Sequence, residues 1–261
     1  MSVQNIFNFF FPLVQPKMTS LRLNDSKTTL LTITFLGKSF DIHQDPSSLN
    51  HGLCVWDASL CYLRYLEHNP REQEALRGAS VLELGAGTGI LGIALAHCLG
   101  SHVVLTDLPS VTPNLAANLA ANPLPPGCAG SCVVLPYSWD GRVAAEVVAA
   151  SPSGAGFSHI IGTDVGYSET LNPTLLASAA AYAAGRRATT LLVNELRCEV
   201  AQAVFDRVAP QLFKVHRVPS KKLHPDFQQC NFVMVRLTLL KGSKAEALSG
   251  GGGEGGEEAE E

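Results

Sequence analysis

The sequence predicts an α/β fold: a doubly wound, mostly parallel seven-stranded sheet, preceded by an N-terminal β-hairpin and a helix. Three observations predict it. From residue 81 onward, short β-type runs alternate with longer helical runs, the pattern of strand–helix–strand crossovers in a parallel sheet. A glycine-rich turn links the first of these strands to its helix. The last two β-type runs have only a loop between them, so they are expected to pair antiparallel.

Each element has its own signal. Residues 28–42 (TTLLTITFLGKSFDI) are rich in Thr, Ile, Leu and Phe and are punctuated by Gly37-Lys38, which suggests a β-hairpin. In 55–67, Val55, Ala58, Leu60, Leu63 and Leu66 recur at largely helical spacing. Residues 68–79 read as a polar link. The seven strands of the main sheet are expected at 81–84, 102–106, 132–135, 157–162, 189–194, 213–218 and 231–240. Helices are expected at 89–99, 110–121, 142–150, 171–184 and 196–208, with Gly100 placed to stop the first and Ser110 placed to cap the second. The organisation that follows is an extension over 1–50, a main domain over 51–242 and a Gly/Glu-rich, low-complexity tail over 243–261, expected to be disordered.

Composition excludes several classes. With 46% hydrophobic and 16% charged residues, the chain has the make-up of a globular protein. The net charge of −4 is unevenly spread: residues 245–261 hold six Glu and no Lys or Arg, which leaves 19 basic against 17 acidic residues elsewhere. So near-neutral a body gives no reason to expect a nucleic-acid partner. No stretch approaches the ~18–20 continuous apolar residues of a membrane span. The Phe-rich start, 5–14, lacks the leading cations of a signal peptide and is broken by Pro12, so it is expected to pack on the domain. The seven Cys form no paired CxxC clusters and the eight His no HxxxH spacing, so neither a disulfide framework nor a metal is expected. Unpaired thiols point to a reducing compartment, the cytoplasm, with the nucleus as a second possibility.

The chemistry begins at Glu83-Leu84-Gly85-Ala86-Gly87-Thr88-Gly89. Glycine lets such a turn bend sharply and lets its backbone approach a ligand at the helix N-terminus. Asp107 follows the next strand, 22 residues after Gly85. An acid there can accept both hydroxyls of a ribose, which argues for a nucleoside ligand. The spacing is G-x-G-x-G, neither the dinucleotide G-x-G-x-x-G nor a P-loop. Glu83, two residues before the first glycine, is expected to repel a pyrophosphate and favour a cationic group. A nucleoside with positive charge and no phosphate fits: S-adenosyl-L-methionine.

These segments carry a family resemblance. VLELGAGTGILGIALA (81–96) and VVLTDLP (103–109) resemble the signature segments of class I, seven-β-strand S-adenosylmethionine-dependent methyltransferases of Rossmann-like fold. Val55-Trp56-Asp57-Ala58, Tyr137-Ser138-Trp139-Asp140 and Gly162-Thr163-Asp164-Val165-Gly166-Tyr167 are similar to the protein-lysine branch of the methyltransferase-like proteins, with its D-x-x-Y signature. The match covers roughly residues 30–240. The resemblance implies that Gly85, Ala86 and Gly87 line the cofactor and Asp107 binds its ribose. It implies that Trp56 and Trp139 wall it, that Thr163 lies beside it, and that Asp164 and Tyr167 close the acceptor side. It also implies a protein substrate presenting a lysine, of chaperone, ATPase or translation-factor type, and a monomeric enzyme. Relatives usually carry a bulky apolar residue at Gly166, so the acceptor loop is expected to be looser here.

Methyl transfer from a sulfonium needs an aligned, unprotonated nucleophile. A lysine has an ordinary pKa of about 10.4, and a low-dielectric channel beside a cationic donor favours its neutral form. Asp164 is placed to orient the amine, to accept its proton, or both. Tyr167 can wall the channel and offer a hydroxyl. Asn194-Glu195-Leu196-Arg197 reads equally well as part of the substrate mouth or as a charged helix start, and Lys221, Lys222 and His224 read as a solvated loop. Two other functions stay open on sequence: methylation of a small molecule or a non-lysine side chain, and a cofactor-binding module without turnover.

Overall fold

A computed structural model describes residues 27–242. The expected packing of the Phe-rich segment 5–14 and the expected disorder of the tail fall outside those residues. A hairpin of β1 (Leu30–Phe35) and β2 (Lys38–His43) comes first. Its two turn residues, Leu36 and Gly37, have φ of 47° and 77°, the doubly left-handed turn that matches strand twist. Helix α1 (Asp57–Glu67) follows, then α2 (Pro70–Leu76), where the sequence read as a polar link. Pro70 at the first helical position and the single buried residue Leu76 explain why apolar periodicity did not reveal it.

The main sheet alternates as expected: β3 (Ser80–Leu84), α3 (Ile90–Leu99), β4 (His102–Asp107), α4 (Thr112–Ala121), β5 (Ser131–Pro136), α5 (Ala145–Ala149), β6 (His159–Thr163), α6 (Asn172–Arg186), β7 (Thr189–Glu195), α7 (Glu199–Leu212) and β8 (Phe213–Val218). A one-turn helix, α8 (Pro225–Gln228), precedes β9 (Phe232–Leu239). The strand order is β5-β4-β3-β6-β7-β9-β8. The first five run parallel, and β9 lies antiparallel between β7 and β8. Gly100 ends α3 in the left-handed conformation (φ 66°). Ser110 does not cap α4, which begins after Val111 without a side-chain cap.

Strand alternation sorts the core into two layers. Val81, Val103, Leu105, Ile161 and Leu191 face a cluster with α1, α3 and the hairpin, including Phe35, Phe40 and Ile42. Leu82, Leu84, Val104, Ile160 and Leu192 face α5, α6 and α7. The hairpin is thus part of the main core, and its edge is tied down by two buried asparagines, Asn118 on α4 and Asn122 at its C-terminal cap. Asn118 Oδ1 accepts from His43 N at 2.8 Å, and Asn122 Oδ1 accepts from Asp41 N at 3.0 Å. Their amide groups donate to the carbonyls of the same two residues. The edge hydrogen bonds of β2 are therefore met by side chains rather than by another strand. Among the described residues no helix is long and apolar enough to cross a membrane.

Candidate active site

The chain order reverses between β3 and β6: β4 and β5 lie on one side of β3, β6 and β7 on the other. At such a switch point the loops leaving the carboxyl ends of the strands diverge and open a crevice. A cavity of about 610 Å³ lies there, within the roughly 300–1,000 Å³ of small-molecule sites. Its wall includes Trp56, Gly85, Gly87, Asp107, Trp139, Thr163, Asp164, Tyr167 and Arg197.

The β3–α3 turn is shaped by glycine. Gly85, Gly87 and Gly89 have φ of 68°, 57° and 87°. A Cβ on Gly85 would lie 2.7 Å from Val165 Cγ1 and 3.0 Å from the Trp139 ring, so the turn can hold no larger residue there. Asp107, at the end of β4, faces this turn. Its Oδ2 accepts from the Gly87 N–H at 2.7 Å and its Oδ1 from the Leu108 N–H at 2.7 Å. Burial pushes the Asp107 carboxyl up from its ordinary range, and these two N–H donors partly offset that. A carboxylate has about four acceptor positions, so two remain for the hydroxyls of a ribose. With the glycine cradle and the indole walls, these groups suit a nucleoside.

Glu83 and Ala86 stand outside the cavity wall. Glu83 shares the strand face of Val81, so its side chain points to α3, where Oε2 lies 2.6 Å from where a Gly92 Cβ would be. It is buried, its Oε2 has no hydrogen-bond partner, and burial pushes its pKa up to about 8. The argument that Glu83 selects a cationic ligand by lining the site is therefore corrected: the two-residue period of β3 turns it into the core. Ala86 uses its N–H to extend the sheet, donating to Thr106 O at 2.9 Å, while its side chain joins the α1/α3 cluster.

The opposite end of the cavity is built around Asp164. Its backbone sits in the left-handed region (φ 58°), which Asp tolerates better than most residues, and its N–H donates to Val193 O at 2.7 Å. The side chain is 2% exposed. Arg197 Nη2 donates to Asp164 Oδ2 at 2.7 Å and to Glu195 Oε2 at 2.7 Å, so one nitrogen bridges two buried carboxylates. The Arg197 guanidinium also lies over the Trp56 ring, 4.6 Å from its centroid. Trp56 is fixed in turn by its Nε1–H, which donates to His51 O at 2.7 Å. Burial raises the Asp164 pKa, and Arg197 pulls it back in part. Tyr167, half-exposed at the rim, is raised by burial and then by the nearby carboxylates Asp107 and Asp164. The sequence left Arg197 undecided, and the structure places it against Asp164 in the cavity wall.

Gly166 corrects a second expectation. Its N–H donates to Asn194 Oδ1 at 2.7 Å, and a Cβ there would lie 2.8 Å from Asn194 Nδ2. The buried Asn194 side chain takes the space of the missing apolar residue, so the acceptor loop is pinned rather than loose.

A doubly wound seven-strand sheet, with the glycine turn and Asp107 at one end of its crevice and the buried Asp164 at the other, has the arrangement of a seven-strand methyltransferase. The family model described as lysine methyltransferase matches residues 35–209. The protein N-lysine methyltransferase METTL21A of Mus musculus is 34% identical over 197 residues, covering 75% of this chain and 85% of the relative. The EEF1A lysine methyltransferase 3 of Mus musculus is 34% identical over 191 residues, 72% of this chain and 76% of its own. Among solved structures, a methyltransferase from Pyrococcus furiosus superposes with a TM-score of 0.46 at 13% identity, over 69% of this chain and 82% of that one. The chain belongs to the lysine methyltransferase family. Its activity is methylation of protein lysine side chains, with S-adenosylmethionine as methyl donor.

Proposed function

We propose that the acceptor lysine enters past Tyr167 and meets the donor between Asp107 and Asp164. When bound, S-adenosylmethionine supplies an activated methyl group on a sulfonium, so the protein's task is alignment. Asp107 holds the ribose, the Gly85–Gly87 backbone approaches the donor, and Trp139, Trp56 and Thr163 enclose it. Asp164 orients the N–H groups of the neutral amine through its carboxylate. The observation that carries this reading is the buried Asp164, 2% exposed, in the wall of the same cavity as Asp107 and the glycine turn.

The relatives suggest the target class. One is named for its action on EEF1A, a translation factor. We take a folded cytoplasmic protein of that kind, or a chaperone or ATPase, as the substrate, methylated by a monomer without a nucleic-acid or membrane partner. Labelled S-adenosylmethionine incubated with the enzyme and a cell extract should label protein on lysine, identified by peptide mass spectrometry. Asp164→Ala should keep its affinity for S-adenosylhomocysteine while losing about 100-fold or more in transfer. Label on small molecules, or on another residue type alone, would count against the lysine assignment. Full transfer by Asp164→Ala would remove the role given to that carboxylate.

A further inference from the structure

Glu195 and Asp164 are both nearly excluded from water, with side chains 4% and 2% exposed, and both contact one nitrogen of Arg197. Two buried carboxylates so close repel each other, and burial disfavours the charge on Asp164. A single cation between them offsets both effects. Arg197 is itself held on its other side by the Trp56 ring. Because its donor goes to Asp164 Oδ2, the other oxygen, Oδ1, keeps only a long 3.5 Å contact from the Glu195 N–H. The least engaged acceptor on Asp164 is thus Oδ1.

We propose that Arg197 is the positioning residue of the acceptor site: locked between Glu195, Asp164 and Trp56, it keeps Asp164 ionised and turns Oδ1 toward the incoming amine. Arg197 acts through Asp164 and takes no proton itself. Glu195 anchors the guanidinium, and Trp56 sets the plane from which it donates. The inference rests on the reading of Asp164 as the acceptor-side carboxylate.

The sign follows from the charges around Asp164. Those facing it are Arg197 and Glu195 from the end of β7 and the Tyr167 phenol on its own loop. Removing the guanidinium takes away the only cation of the three. The carboxylate then binds its proton more tightly. The acid limb of the transfer rate should move to higher pH.

The test uses the full chain. Transfer of labelled methyl into cell-extract protein is measured from pH 6 to 9 for the wild type, Arg197→Ala and Arg197→Lys, alongside S-adenosylhomocysteine affinity by calorimetry. Arg197→Ala should bind S-adenosylhomocysteine within about threefold of the wild type, transfer about 30-fold more slowly at pH 7, and show its acid limb about one pH unit higher. Arg197→Lys, which keeps the charge but loses the planar stack, should restore much of the limb position and less of the rate. A uniform loss at every pH with an unmoved limb overturns the proposal, because misfolding or simple misplacement would look like that. Melting temperature gives a readout that needs no substrate. The Arg197→Ala deficit should be larger at pH 8, where the uncompensated Asp164 is charged, than at pH 5, and an equal deficit also overturns the proposal. Wild-type transfer by Asp164→Ala would instead overturn the underlying assignment of Asp164, whatever Arg197 does.

Discussion

At the β3–β4 end of the cavity, Asp107 is held by two backbone N–H groups, from Gly87 and Leu108. At the β6–β7 end, Asp164 is held by the side chain of Arg197, which is itself held by Glu195 and Trp56. The end proposed for the donor is therefore built from main chain whose path glycine permits. The end proposed for the acceptor is built from side chains that depend on one another. Backbone donors fixed by a strand and a turn survive most substitutions around them. A side-chain network fails when any member goes, and its members couple non-additively.

The largest effect on binding is expected where the two ends touch. Gly85→Ala puts a methyl 2.7 Å from Val165, the neighbour of Asp164, at a position with φ of 68°. S-adenosylhomocysteine affinity should fall about 100-fold, some 2.7 kcal/mol, by calorimetry. Affinity within a factor of three would show that the donor end adapts, and the contrast between the two ends would lose its basis.

Next comes Glu83, an acid of the donor strand that serves the core. Its folded pKa of about 8 lies above the ordinary 4.5. The folded state therefore prefers the protonated form. Stability is unaffected below the unfolded pKa and is lost as pH rises from about 4.5 toward 8, reaching on the order of 3 kcal/mol by pH 7. Glu83→Gln removes that loss while keeping the shape. Its melting temperature should exceed the wild type's by several degrees at pH 8, with the gap closing near pH 4.5. A pH-independent gap would contradict the buried, proton-bearing state.

Asp107→Asn keeps the shape of the side chain and removes its charge. Donor affinity should fall about tenfold, or 1.4 kcal/mol, with a stability loss of about 1 kcal/mol as well, because the amide offers its one oxygen to only one of the Gly87 and Leu108 N–H groups. A large loss of stability instead would mean that Asp107 chiefly braces the turn.

The donor end was legible in the sequence because its signals are local. A turn needing three left-handed glycines must show them as G-x-G-x-G, and the acid at the end of the next strand falls at a readable spacing. The strand–helix alternation was legible for the same reason. Glu83 was misjudged because which face of β3 points to the cavity depends on the layers packed on it. Arg197 was ambiguous because its partners, Asp164 and Trp56, lie 33 and 141 positions away, and no periodicity records such a meeting. Helix α2 and the asparagines that tie the hairpin to α4 were missed likewise: each is a tertiary contact written in polar residues that also suit a surface.

The smallest effect lies in the acceptor loop. Asn194→Ala strips the Gly166 N–H of its acceptor and should destabilise by about 1–2 kcal/mol. Gly166→Ala forces its new methyl against Asn194, 2.8 Å from Nδ2, and should cost about 1 kcal/mol. In the double variant the methyl has room, so the combined loss in urea unfolding should be less than the two single losses added, by about 0.5 kcal/mol or more. Simple additivity would mean that Asn194 and Gly166 act separately, and the acceptor end would then be less a network of side chains than its geometry indicates. A favourable coupling would explain how the loop holds its course with glycine at 166, since Asn194 fills the adjoining volume and holds the backbone that presents Asp164.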